Sequence, residues 1–144
     1  MTTSLEERTA AIEAEFAELE PRERLELLLE FAEKLPPLPP RYHAERDAGA
    51  GRVPECQTPV FLWITLDGGQ VHIDADVAPE APTVKGFVSL LVDIFTGATP
   101  EDVLAFQPNF VERFALREAL GMVRMRGLAA IAHAIRQKVA RAAA

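Results

Sequence analysis

The chain is poor in the residues from which metal and redox sites are usually built. Its 144 residues hold one cysteine and three histidines, with a single tryptophan and a single tyrosine besides. One cysteine cannot close an internal disulfide. His43, His72 and His133 are scattered, so neither Cys-x-x-Cys nor His-x-x-x-His spacing occurs, and no metal site is expected. No apolar run approaches the ~18 residues a membrane helix needs. The opening residues carry Glu6 and Glu7 where a signal peptide would have a basic patch, so none is read there. These absences together make the cytoplasm, with no membrane partner, the expected setting. A phosphate-cradling glycine loop is missing too, because Gly68-Gly69 sits between two strand patterns and not at a strand-to-helix junction.

Positive charge is scarce in the first third. Residues 1–33 hold ten acids and three bases, which is the whole net charge of −7; the remainder is balanced. A phosphate-binding surface needs a basic face, so nucleic acid is not an expected partner. From Arg124 to Arg141 there are five bases and no acids. Placed toward a helix C-terminus, such charge is favourable on dipole grounds alone. The acidic stretch reads as a solvated helical surface, or as one that steers the protein toward a basic patch on another protein.

The rest of the pattern is that of one small domain, 1–144, with an acidic helical part over 1–34, a cysteine loop and hairpin over 53–76, and a helical part over 85–142. Ser4 and Glu7 fit a capping box. Leu5, Ile12, Phe16 and Leu19 share a helical face, and Leu25, Leu28, Leu29 and Ala32 make the stripe of a second helix that starts at Pro21 and ends before Pro36. Leu35 to Pro40 is a stiff connector, read as a spacer in preference to a ligand for a proline-binding domain. Residues 41–55 read as loop. Val60, Leu62, Ile64 and Leu66 then alternate with Phe61, Trp63 and Thr65. Asp67-Gly68-Gly69 turns the chain, glycine reaching positive φ freely, and Val71, Ile73 and Ala75 alternate on the return. Val77 to Pro82 reads as a surface loop. Phe87 to Phe95 has core-helix spacing, Thr99-Pro100 starts another helix, Phe110 to Phe114 suggests a short one, and Leu128, Ile131, Ile135 and Val139 mark the last. The fold class expected is α+β: a small antiparallel sheet, the hairpin about 60–76 with a third strand left open, packed on one face against several helices.

Cys56 is the one candidate nucleophile. A buried structural thiol is the usual fate of a free cysteine. Arg52, Pro54, Glu55, Gln57, Thr58 and Pro59 are not core neighbours, which favours exposure. A cysteine hydrolase would need a histidine and an acid, and His72 with Asp74 or Asp76 is the available set, read otherwise as a solvated hairpin edge. Glu55 beside the thiol disfavours thiolate, whereas reactive cysteines have positive neighbours. A thiol that is presented but not activated suits reaction inside another protein's active site, where the partner supplies the electrostatics. Phe61 and Trp63, on the outer face of the hairpin, are expected to shelter it at rest.

Three motifs carry a family resemblance: Val53-Pro54-Glu55-Cys56-Gln57-Thr58-Pro59 with the strand after it, Ala81-Pro82-Thr83-Val84-Lys85-Gly86-Phe87, and Arg124-Met125-Arg126-Gly127-Leu128. From about Glu20 to Val139 the chain resembles the SufE family of sulfur acceptors. The resemblance implies that Cys56 takes persulfide sulfur from a SufS-type cysteine desulfurase and hands it to a SUF scaffold complex for iron–sulfur clusters, enhancing the desulfurase. It implies a persulfide carrier and not a stand-alone enzyme. No cofactor is expected on this chain, since pyridoxal phosphate belongs to the partner. Gln57, Asp76 and Arg124 match family positions at the partner contact. Glu55, Thr58 and Pro59 depart from the common pattern. The alternatives are an interaction module with a structural cysteine and a thiol redox sensor, the latter lacking a resolving cysteine.

Overall fold

Each long helix of the first half begins where a side chain or a proline disposes of its first amide groups. The computed structural model describes residues 4–54, 58–107 and 109–144. Helix α1 (Leu5–Ala17) starts after Ser4, whose hydroxyl accepts from the Glu7 N–H at 3.1 Å. Only that half of the expected capping box forms there. A carboxylate reaching back occurs instead at helix α2 (Pro21–Lys34), where Glu23 accepts from the Glu20 N–H at 2.9 Å. Helix α2 buries Leu28, Phe31 and Ala32, while Leu29 is 41% exposed. The stripe thus turns through Phe31 and not Leu29, because α2 meets its neighbour on that side.

The connector runs into a 3-10 turn (Pro40–Tyr42) and helix α3 (His43–Asp47), which replace the first part of the loop expected over 41–55. Strands β1 (Val60–Asp67) and β2 (Gln70–Val77) form the antiparallel hairpin, with Val60 opposite Val77, Phe61 opposite Asp76 and Trp63 opposite Asp74. Val77 belongs to β2 and is buried, so the surface loop after it is shorter than the prolines suggest. Val60, Leu62, Val71, Ile73, Ala75 and Val77 form the buried face. Near the turn the sheet emerges from the core and Leu66 is 38% exposed. Among the described residues the sheet has two strands, and an isolated bridge between Arg52 and Phe61 stands in place of a third.

Helix α4 (Pro82–Phe95) packs on β2 and α2, with Phe87, Leu90, Leu91 and Ile94 fully buried. Helices α5 (Pro100–Ala105), α6 (Phe110–Arg113) and α7 (Arg117–Leu120) follow; Thr99 caps α5 by accepting from the Asp102 N–H at 3.2 Å. The last helix, α8 (Met122–Ala143), lies against β1 and buries Leu128, Ile131, Ile135 and Val139. The fold is α+β, with helices covering one face of the hairpin. Phenylalanines join its parts: Phe16 stacks on Phe114 at 5.3 Å, Phe114 on Phe110 at 5.8 Å, and Phe95 meets Phe110 edge-on at 5.5 Å. Among the described residues no helix is long and apolar enough to cross a membrane.

The α2–α4 crossing depends on Gly86. A Cβ there would stand 2.0 Å from the Leu28 carbonyl oxygen. Gly86→Ala should therefore lower the unfolding free energy by about 2 kcal/mol, in spite of the ~1 kcal/mol that alanine gains in helix propensity. A urea midpoint at or above that of the parent would contradict this contact.

Arg113 ties α6 to α1, donating to Glu6 at 2.9 Å and to Glu13 at 3.0 Å. Its hydrogen bond holds the Glu13 carboxyl below the ordinary 4.5, outweighing the opposite pull of burial. The unfolded chain then binds the Glu13 proton more readily than the folded one. The stabilisation is complete above about pH 4.5 and fades as pH falls through the lowered value. Arg113→Met is expected to unfold at lower urea than the parent at neutral pH, with the gap narrowing between about pH 5 and about pH 3. A gap of constant size across that range would rule the pair out as its source.

Candidate functional site

The pairing register with β2 leaves the backbone groups of Val60 and Leu62 facing away from it, and these hold the start of the cysteine loop. The Val53 N–H donates to the Val60 oxygen at 2.9 Å, and the Leu62 N–H donates to the Gly51 oxygen at 2.9 Å. Val53 and Val60 are both 0% exposed, while Pro54 and Pro59 lie nearer the surface. The Ala78 N–H reaches the Pro59 oxygen at 3.4 Å, joining the loop exit to the end of β2. The described chain on either side of residues 55–57 is thus joined at one closed neck. Glu55, Cys56 and Gln57 themselves lie outside the described residues, and with them the expected sheltering of Cys56.

Beside the neck stands an aromatic stack. Trp63 lies against Tyr42 at 4.8 Å and Phe61 at 6.2 Å, and the Arg41 guanidinium covers the Tyr42 ring at 4.8 Å. Gly51, at φ +80°, lets the chain pass close under the indole: a Cβ there would be 2.9 Å from the ring. Across an open cleft of about 370 Å³, α8 presents Lys138 and Arg141 toward Trp63. Burial and then the repulsion of Arg141 push the Lys138 ammonium below its ordinary range.

Asp76 faces Phe61 across the hairpin, one residue before the neck, and accepts from Arg46 at 3.2 Å. Arg46 also bonds Asp47, so Asp76 anchors α3 to the sheet. Arg124 is exposed in the first turn of α8 and, among the described residues, has no acidic partner and no contact with Asp76. The hydrolase set does not assemble at the neck. His72 sits opposite Thr65 with its ring 3.3 Å from Asp74, five residues along β2 from Val77. That is roughly 16 Å of strand. The Asp74 side chain is only 12% exposed, so the pair is less solvated than the hairpin pattern suggests. Among the described residues no cluster of three or more histidines, cysteines or acids could hold a metal ion.

The SufE family model, described as an Fe-S metabolism associated domain, matches residues 10–139. The chain belongs to the SufE family. It is 33% identical over 137 residues to an uncharacterized SufE-like protein of Mycobacterium tuberculosis, covering 94% of each chain. An uncharacterized SufE-like protein of Synechocystis is 32% identical over 108 residues, 75% of this chain and 64% of that one. The solution structure of a hypothetical protein from Thermus thermophilus superposes with a TM-score of 0.76 at 36% identity, covering 94% of this chain and 95% of that one. Family membership associates the protein with iron–sulfur metabolism.

Reading the SufE chain as sequence missed Tyr42, Arg46, Gly51 and Lys138 around the neck. Two signals were available. Arg41 and Arg46 stand in the stretch before the cysteine, facing the hairpin acids Asp74 and Asp76. Lys138 lies one helical turn before Arg141 on the side that meets β1. Gly51→Ala should strain a positive φ and press on the only tryptophan, costing about 1–3 kcal/mol and shifting Trp63 emission in the folded state. An unchanged spectrum together with an unchanged unfolding midpoint would contradict this packing.

Proposed function

We propose that this SufE-family chain accepts sulfane sulfur on Cys56 from a SufS-type cysteine desulfurase and passes it to a SUF scaffold complex, enhancing the desulfurase as it removes product. The observation that supports this reading is the closed neck: the lone cysteine of the chain lies in a six-residue span flanked by Val53 and Val60, which are hydrogen-bonded together and buried. A short loop on such a base can enter a partner's active site without unravelling the fold.

The chemistry balances without an oxidant or reductant. Cys56 gives up its proton, and its thiolate attacks the outer sulfur of the desulfurase persulfide. A new S–S bond forms as the old one breaks, and the desulfurase cysteine leaves as thiolate and is reprotonated. Glu55, next to Cys56 in sequence, argues against a self-activated thiol, and in this reading the partner supplies the electrostatics that ionise it. Pyridoxal phosphate resides on the desulfurase, where it releases sulfur from free cysteine. Gln57 next to the thiol, Asp76 at the end of the hairpin and Arg124 on α8 contact the desulfurase in this reading. The exchange takes place in the cytoplasm, where thiols stay reduced. A sensor that resolves a sulfenic acid with a second thiol has no such thiol in this chain.

Incubation with a desulfurase and cysteine, followed by intact mass measurement, tests the transfer. The parent should gain about 32 Da, one sulfur atom, and Cys56→Ser should gain nothing. A parent that stays at its starting mass while the desulfurase turns over would end the proposal.

A further inference from the structure

Positive charge gathers on α8, where no acid stands between Arg124 and Arg141. Part of it has a local reason. Arg136 donates to the Leu104 oxygen, and Arg141 stands in the last turn, where a cation suits the helix dipole. Lys138 fits neither account. It lies half-buried on the side of α8 that meets β1, facing the cleft of about 370 Å³ that Trp63 and Ile64 line from the strand. A lysine that only lays its stem along apolar surface keeps its ammonium in water. Here burial, and then the repulsion of Arg141, push the ammonium below its ordinary range. Its charge is disfavoured where it sits, and an anion in the cleft would reverse that.

The described chain supplies no such anion. Lys138 and Arg141 are the charged residues of the lining, and no acid joins them. Among the described residues neither takes part in a salt bridge. The hairpin acids opposite Trp63 and Phe61 are already engaged, Asp74 by Arg41 and His72 and Asp76 by Arg46. The wall facing the two bases is fixed, because Tyr42 stacks on the indole and Gly51 lets the backbone press against it. The cleft is open on its outer side, which leaves a small molecule little surface in which to be buried, whereas a chain segment runs on past the rim. We infer that this cleft docks an acidic segment of a partner protein, with its carboxylates on Lys138 and Arg141 and an apolar side chain between them on Trp63. The two bases are one turn apart on one helix face, roughly 5–6 Å, which is near the ~7 Å between alternate side chains of an extended chain. With a net charge of −7 the protein as a whole repels an acidic segment, so binding would report this local site and not a general attraction. The inference uses no residue of the Cys56 span and stands whether or not sulfur transfer occurs.

The probe is an acetylated, amidated Glu-Leu-Glu-Leu-Glu peptide titrated into the full chain, with the emission of Trp63, the one tryptophan, as the readout. The emission should shift and saturate, and binding should weaken as salt rises. Gln-Leu-Gln-Leu-Gln keeps the apolar side chains and loses the charges, and should bind about tenfold or more weakly. Lys138→Gln combined with Arg141→Gln should weaken the acidic peptide similarly while keeping the parent's urea midpoint. Arg126→Gln, exposed at the other end of α8, should leave binding unchanged. Equal binding of the two peptides, a loss in Arg126→Gln as large as in the double variant, tighter binding of an oligothymidylate than of the acidic peptide, or no emission change at millimolar peptide would each overturn the proposal.

Discussion

The cysteine loop depends on one backbone hydrogen bond, from the Val53 N–H to the Val60 oxygen. It closes the six-residue span that contains Cys56. Its two ends are buried, so the bond has no water to replace it if broken, and leaving such groups unpaired costs about 1–3 kcal/mol. The bond works because β1 is itself held in place. Val60 and Leu62 belong to the buried face that α8 covers, and β2 pairs them from one side. Val53 and Val60 therefore tie the two ends of the chain around residues 54–59 into the core.

The hairpin distributes its other surfaces around that neck. Its inner face is core. Its outer face is held by the segment before the loop, through Tyr42 on Trp63, Arg41 near Asp74 and Arg46 on Asp76. Such half-exposed ion pairs contribute little energy singly. Their effect is positional, keeping α3 and the aromatic stack beside the neck. His72 and Asp74 lie away from the neck along β2, so the frame brings no histidine–acid pair to the neck.

Most of the framework was legible in the sequence because it rests on periodicity. The alternation on either side of Asp67-Gly68-Gly69 marks the hairpin and its buried face, and the spacing of Phe87, Leu90, Leu91 and Ile94 marks α4. What was not legible has identifiable causes. Helix α3 is five residues long, too short to carry a period, and is held by the tertiary pair between Arg46 and Asp76. Phe31 displaces Leu29 from the stripe because the close approach at Gly86 decides which side of α2 meets α4. The roles of Gly51 and Lys138 depend on contacts between residues far apart in the chain, which no local pattern records. Of the site residues, Asp76 lies at the neck with a partner of its own, Arg124 lies apart on α8, and Cys56 and Gln57 fall between the described ends of the loop.

Amide hydrogen exchange at Val53 and Leu62 tests the closed neck most directly. The account predicts that both amides exchange as slowly as those of Trp63 and Asp74, inside the β1–β2 ladder. Exchange at Val53 and Leu62 as fast as in an exposed turn such as Gly68-Gly69 would contradict it, and the neck would then not be closed.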